Sequence, residues 1–257
     1  MISRYAKRLY LAFIYLFFYL PLLVVFIYSF NMNKYTANWT GFSFRWYEVL
    51  LNNTALLDAA LNSLLVAVCA ATAATILGTI TALCVKRYRF PGRKALYGSV
   101  LLLTVSPDIV MGISLLLMFL LIKMELGFVT LLIAHTTLCA PFVTVTVLSR
   151  LAEFDEYLIE AARDLGASEA AAFRHVLLPM TAPAIAAGWL LSFTLSLDDI
   201  LISTFTTGPH FEVLPVKIYS MVKLGVKPDV NALSTVMFVL TLVFVLLAQL
   251  IYQFRRK

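Results

Sequence analysis

Six apolar runs, each long enough to cross a bilayer, constrain this chain more than any other feature. A helix rising 1.5 Å per residue needs about 20 residues to pass the hydrocarbon. Runs of that order occupy residues 9–30, 59–85, 95–122, 127–149, 184–206 and 231–252. In lipid, backbone N–H and C=O groups must be satisfied inside the protein, which a helix does within each segment. The expected fold is therefore an all-α integral membrane protein with six transmembrane helices. Composition excludes a soluble globular domain, because 61% of the 257 residues are hydrophobic and only 13% are charged. Residues 1–58 are expected to form an N-terminal transmembrane helix and outer loop. One membrane domain over 59–252, with a polar loop at 150–183, precedes a tail at 253–257. The basic start MISRYAKR resembles a signal peptide, but its apolar run is too long and lacks a small-residue cleavage site, so an anchor is expected. Tyr35, Trp39, Trp46 and Tyr47 in the first outer loop suit an interfacial belt.

Lysine and arginine set the orientation. With the N-terminus inside, fourteen basic residues lie on the cytoplasmic side, among them Lys86, Arg87, Arg89, Arg93 and Lys94, and six lie outside. The positive-inside rule selects this topology, with both termini and the segment 160–179 in the cytoplasm. The net charge of +6 is accounted for by this asymmetry and needs no nucleic-acid partner.

The segment 160–179, EAARDLGASEAAAFRHVLLP, is the one long polar stretch in the C-terminal two-thirds. It predicts two short helices meeting at Gly166, where a left-handed C-terminal cap costs little. Ser168 can cap the second helix, Glu169 suits its positive end, and Pro179 is expected to end it at Leu178. The spacing is E-A-A, three residues, Gly, nine residues, Val, one residue, Leu-Pro. It resembles the EAA loop of bacterial ABC-importer permeases, with Val176 where isoleucine is usual. That resemblance implies a type I ABC-importer permease fold in which a cytoplasmic coupling helix sits in the cleft of an ATPase. The residues carried over are Glu160, Ala161, Ala162, Gly166, Leu178 and Pro179. An unpartnered surface hairpin and a DNA-binding helix-turn-helix are the competing readings. Six carboxylates against three arginines over residues 150–175 are the wrong balance for a phosphate backbone.

Three carboxylates fall inside expected spans: Asp108, Asp198 and Asp199. Each costs roughly 2.5 to 3.5 kcal/mol near a helix centre, so they are expected to face protein or water. Pro107 is expected to kink the third span. In the fifth, Ser192, Ser196, Asp199 and Ser203 share one stripe of a continuous helix opposite Phe193, Leu197, Ile200 and Leu201. Asp198 is rotated by about 100° from that stripe. Acids along a water-filled path suit a cationic cargo. Alternatively they pair with a partner subunit or satisfy freed backbone groups.

A narrower resemblance rests on SPDIVMGISLLL from Ser106, GWLLSFTLSLDDILISTFTTGP from Gly188, LPVKIYSMVKLGVKPDVNAL from Leu214, and NWTGFSFRWYEVLLNN in the outer loop. These look like permease subunits of spermidine/putrescine importers. That implies a bacterial inner-membrane heterodimer with a second permease subunit, two cytoplasmic ATPase subunits and a periplasmic polyamine-binding protein. An importer of another small cargo, or a passive cation channel or ion-coupled transporter, is the alternative. The chain lacks G-x-x-x-x-G-K-[ST], so ATP and Mg²⁺ are assigned to the ATPase, and no cofactor or catalytic residue is expected here. Trp189 and Tyr219 could stack on ammonium groups or simply pack, and His135 is expected to pack in its helix or make a hydrogen bond, with a proton relay or cargo contact as the alternative. His175 and His210 have no ligand set nearby, so no metal site is expected. Cys69, Cys84 and Cys139 are read as small apolar residues without a disulfide. Residues 207–229 are expected to form a loop and short interfacial helix.

Overall fold

The computed structural model describes residues 4–33, 38–155, 157–223, 229–239 and 242–243. The described part is helical: α1 (Arg4–Tyr28), α2 (Arg45–Leu51), α3 (Thr54–Arg87), α4 (Arg93–Val105), α5 (Asp108–Leu121), α6 (Phe128–Ala152), α7 (Tyr157–Asp164), α8 (Glu169–Ala172), α9 (Leu178–Asp198), α10 (Leu201–Thr206) and α11 (Leu214–Lys223). A short apolar helix, α12, follows at Asp229–Val239. Isolated bridges pair Asn31 with Phe42 and Gly208 with Phe211. Most of the sixth expected span beyond α12 lies outside the described residues, as do Tyr35 and the tail 253–257.

Among the described residues, four helices are long and apolar enough to cross a membrane: Lys7–Tyr28, Thr54–Arg87, Phe128–Ala152 and Glu169–Asp198. A fifth crossing is reached if α4 and α5 count as one span. Three expectations need correction. The third run is broken at Ser106–Pro107, where α4 and α5 meet at a bend of 113°, far beyond a kink. Pro107 takes extended geometry, with φ −62° and ψ 132°, and its carbonyl accepts from Val110 and Met111 in the first turn of α5. Pro179 does not end the second helix of the polar segment. A single π turn over Phe173–Leu177 joins α8 to α9, and the Leu178 N–H reaches back five residues to the Phe173 carbonyl. That extra residue in the turn reroutes the hydrogen bonds just ahead of the proline, whose ring would otherwise crowd the preceding turn. Finally, the fifth run is not one helix to Thr206. It stops at Asp198, and α10 restarts at Leu201.

The chain forms two compact units, residues 1–58 with 217–257 and residues 59–216. In the first, α1 exposes its apolar side chains, Leu9 and Phe18 among them. The outer loop folds back on the end of α1: Trp46 Nε1 donates to the Asn31 carbonyl at 2.7 Å, and Phe30 stacks on Phe42 with ring centres 5.0 Å apart. Trp46 is buried, so it anchors this loop and is not part of an exposed aromatic belt.

The second unit is organised around α6. Lipid tails are as apolar as leucine, so membrane helices associate through close packing at small residues. Ala70, Ala71 and Ala74 of α3 are fully buried. A Cβ added at Gly78 would lie 2.7 Å from the Val143 Cβ and 2.8 Å from the Ala140 carbonyl oxygen. One added at Gly188 of α9 would meet the Val143 Cγ1 at 3.2 Å. Val143 is thus held between two glycines on flanking helices. We expect Gly78→Ala to destabilise the detergent-solubilised protein by about 1 to 3 kcal/mol, since the clash involves backbone as well as side chain. Gly98→Ala, where nothing lies within 4 Å of the added Cβ, is expected to leave the melting temperature unchanged or raised. Thermal unfolding of both variants checks this.

Candidate functional site

Two places in the second unit concentrate polar chemistry: the break between α9 and α10, and the segment around Gly166. At the first, neither glycine nor proline ends α9. Asp199 leaves helical geometry, with φ −66° and ψ 125°. Its carboxylate then accepts from the Ser203 N–H at 2.7 Å and from the Ile202 N–H at 3.3 Å, capping α10 with two bonds. The side chain is buried, and the His135 Nε2 of α6 lies 3.7 Å from its Oδ2. His135 in turn bridges the break, its Nδ1 2.7 Å from the Ser196 Oγ and its Nε2 3.0 Å from the Ser203 Oγ. One ring nitrogen of a neutral imidazole donates and the other accepts. Hydroxyls can do either, so both contacts are met without charging the ring.

The stripe expected on a continuous helix is therefore drawn together by a broken one. Ser192, Ser196, Asp199 and Ser203 are all buried. The Ser192 hydroxyl has no partner among the described residues, although its carbonyl accepts from the Cys139 thiol at 3.4 Å.

Asp198 and Asp108 differ from Asp199. Asp198 is the last residue of α9 and Asp108 the first of α5, and both are exposed. Their helices meet close by. A Cβ at Gly112, one turn into α5, would lie 2.8 Å from the Phe205 ring and 3.3 Å from the Ile202 Cα of α10. Two half-helices, each begun at a break that carries an aspartate, thus pack side by side. The far end of α10 is fixed to the start of α6, where the Thr130 hydroxyl lies 2.8 Å from the Thr206 carbonyl oxygen. A Cβ at Gly208 would fall 2.0 Å from the Leu126 carbonyl oxygen. Nothing in the sequence marks Gly112 or Gly208 as contact points except that each is a glycine within or beside an apolar run.

The aromatic candidates are separately placed. Trp189, half-buried on α9, stacks on Phe193 with ring centres 5.5 Å apart and donates Nε1–H to the Thr72 hydroxyl at 3.1 Å. Tyr219 is exposed on α11 in the first unit, with the Lys223 ammonium 4.4 Å from its ring centre.

Around Gly166 the local chemistry closes as expected. Gly166 has φ +86°. Its N–H donates to the Arg163 carbonyl at 2.8 Å and the Ala167 N–H to the Ala162 carbonyl at 3.0 Å, the paired bonds of a Schellman cap. Ser168 Oγ accepts from the Ala171 N–H at 3.2 Å, and Glu169 pairs with Arg163 across the turn. Glu160 and Ala161 on α7 are exposed, and Ala162 is half-buried. Leu178 and Pro179 are exposed at the start of α9. No residue of α7 is buried. Tyr157 and Leu165, two turns apart on the same face as Ala161, are 76% and 89% exposed, an apolar ridge left uncovered by the described residues.

The description of binding-protein-dependent transport system inner membrane components fits residues 74–256. The chain is 50% identical over 257 residues to the spermidine/putrescine transport system permease protein PotC of Escherichia coli K12, covering 100% of this chain and 97% of the relative. It is 45% identical over 226 residues to the putrescine transport system permease protein PotI of the same organism, covering 85% and 80%. Among solved structures, a bacterial ABC transporter involved in the import of the acidic polysaccharide alginate superposes with a TM-score of 0.77 at 16% identity, covering 97% of this chain and 98% of that one.

The capping bonds give a direct expectation. Asp199→Ala removes the acceptor for two buried N–H groups and should destabilise the protein by about 1 to 2 kcal/mol. Asp198→Ala, at an exposed position, should change stability by less than about 0.5 kcal/mol. Thermal unfolding of the two variants in the same detergent checks the difference.

Proposed function

Because this chain belongs to the binding-protein-dependent transport system inner membrane components, we propose that it is the permease subunit of an ATP-driven polyamine importer. The observation that carries the reading, beside the 50% and 45% identity to polyamine permeases, is the pair of exposed carboxylates at the two packed half-helices. A carboxylate exposed at membrane depth is too costly to leave in lipid. Asp108 and Asp198 therefore face a water-filled path shared with a second permease subunit, where flexible polycations neutralise them. Asp199 and Ser196, through His135, hold the break that presents Asp198. The ring faces of Trp189 and Tyr219 attract ammonium groups, and Lys223 already makes that contact on Tyr219. The fold alone does not choose this cargo, since the alginate importer has a similar fold.

ATP and Mg²⁺ belong to two cytoplasmic ATPase subunits, and a periplasmic polyamine-binding protein delivers cargo. The chain lies in the bacterial inner membrane with both termini in the cytoplasm, as its basic residues direct. Glu160, Ala161, Ala162, Gly166, Leu178 and Pro179 form the coupling segment. The ridge of Tyr157, Ala161 and Leu165 is the surface the ATPase cleft covers. ATP-driven closure of the ATPases pulls on α7, the movement passes through the rigid cap at Gly166 into the helix Glu169–Asp198, and the path opens outward.

Uptake of labelled spermidine into vesicles carrying the assembled transporter tests the reading. Asp198→Asn and Asp108→Asn are each expected to lower uptake at least fivefold while the subunits still copurify. Unchanged uptake in both variants removes these acids from the path. Uptake that persists without the ATPase subunits overturns the importer in favour of a passive channel. Leu165→Asp is expected to abolish copurification of the ATPase, because it puts a charge on the ridge the cleft covers.

A further inference from the structure

A cavity of about 410 Å³ opens where α3 ends and α4 begins, beside α7, on the side of α7 that carries Glu160 and Arg163. Its wall carries Lys86, Arg87, Arg89, Arg93 and Arg163 against one carboxylate, Glu160. Glu169 lies outside the wall and pairs with Arg163 and, at 3.5 Å, with Arg87. Arg89 and Arg93 have no carboxylate partner among the described residues, so two guanidinium groups remain for a ligand. Arg87 is the last residue of the 34-residue apolar helix α3, and Arg93 is the first residue of α4. Two apolar helices terminate here, so the cavity sits at the depth of lipid head groups. Its remaining wall is apolar, with Leu83, Phe154 and Leu177 among the lining side chains.

We propose that this cavity binds the phosphate of an anionic phospholipid. Guanidinium groups match phosphate oxygens in pairs and are weakly hydrated, which favours them at a partly dehydrated boundary. Basic pockets between membrane helices on the cytoplasmic side are suited to acidic head groups. The apolar wall distinguishes a lipid from a free phosphate, because glycerol and the first acyl carbons gain from Leu83 and Phe154 and inorganic phosphate does not. Glu160 and Arg163 of α7 share this wall with the arginines of the α3–α4 turn. A head group seated there links α7 to the membrane.

Lipid retention measures the site. The full chain, alone and in the assembled transporter, is reconstituted with equal amounts of phosphatidylglycerol and phosphatidylcholine, and the lipid retained through delipidation is quantified by native mass spectrometry. Wild type is expected to retain phosphatidylglycerol at least fivefold over phosphatidylcholine. The double variant Arg89→Gln, Arg93→Gln is expected to bring the ratio near one, and Arg89→Lys, Arg93→Lys to keep most of the preference while controlling for misfolding. Displacement of the lipid by millimolar inorganic pyrophosphate would reassign the site to a soluble phosphate. A preference present in the chain alone but lost in the assembled transporter would give the cavity to a partner protein. Equal retention of the two lipids, or an unchanged ratio in the Gln variant, likewise overturns the proposal.

Discussion

In a hydrocarbon environment a helix cannot stop without supplying partners for the N–H and C=O groups it releases. The second unit stops helices inside apolar runs in two places, and each is repaired with chemistry drawn from the chain itself. At Ser106–Pro107 the proline has no N–H to lose, and its carbonyl serves the next helix. At Asp199–Ile200 a carboxylate takes over two N–H groups, and an imidazole from another helix holds hydroxyls on either side. The packing of α5 on α10 is possible only because both breaks are closed in this way.

The same constraint separates three aspartates that sequence treats alike. Asp199 is consumed by structure, with its lone pairs directed at backbone and its side chain 6% exposed. Asp198, its neighbour, is the last residue of α9 and is exposed. Asp108 opens α5 from an equally exposed position. A carboxylate already bonded to backbone has fewer lone pairs left for any other partner than one that is exposed.

Much of the fold was legible because its signals are local. Gly166 and Ser168 announce a helix end and a helix start through their own backbone preferences, and the Schellman bonds and serine cap follow. The long apolar runs announce α1, α3 and α6. The break at Asp199 was not legible, because S-x-x-x-S-x-x-D-x-x-x-S satisfies helical spacing and contains no breaker. The break depends on His135, 61 and 68 residues from its serine partners. Pro179 misled for the converse reason: a strong local stop signal was absorbed by one extra residue in a π turn. The division of the three acids into one buried, backbone-bonded member and two exposed ones rests on burial that spacing does not encode.

The clamp on Val143 also has a mechanical meaning. With a glycine of α3 on one flank and a glycine of α9 on the other, α6 has no slack against either neighbour and cannot slide or roll by itself. The three helices are keyed together at one level by a single side chain. Helix is interrupted elsewhere in the unit, at Ser106–Pro107 and at Asp199–Ile200, and Asp108 and Asp198 stand beside those interruptions.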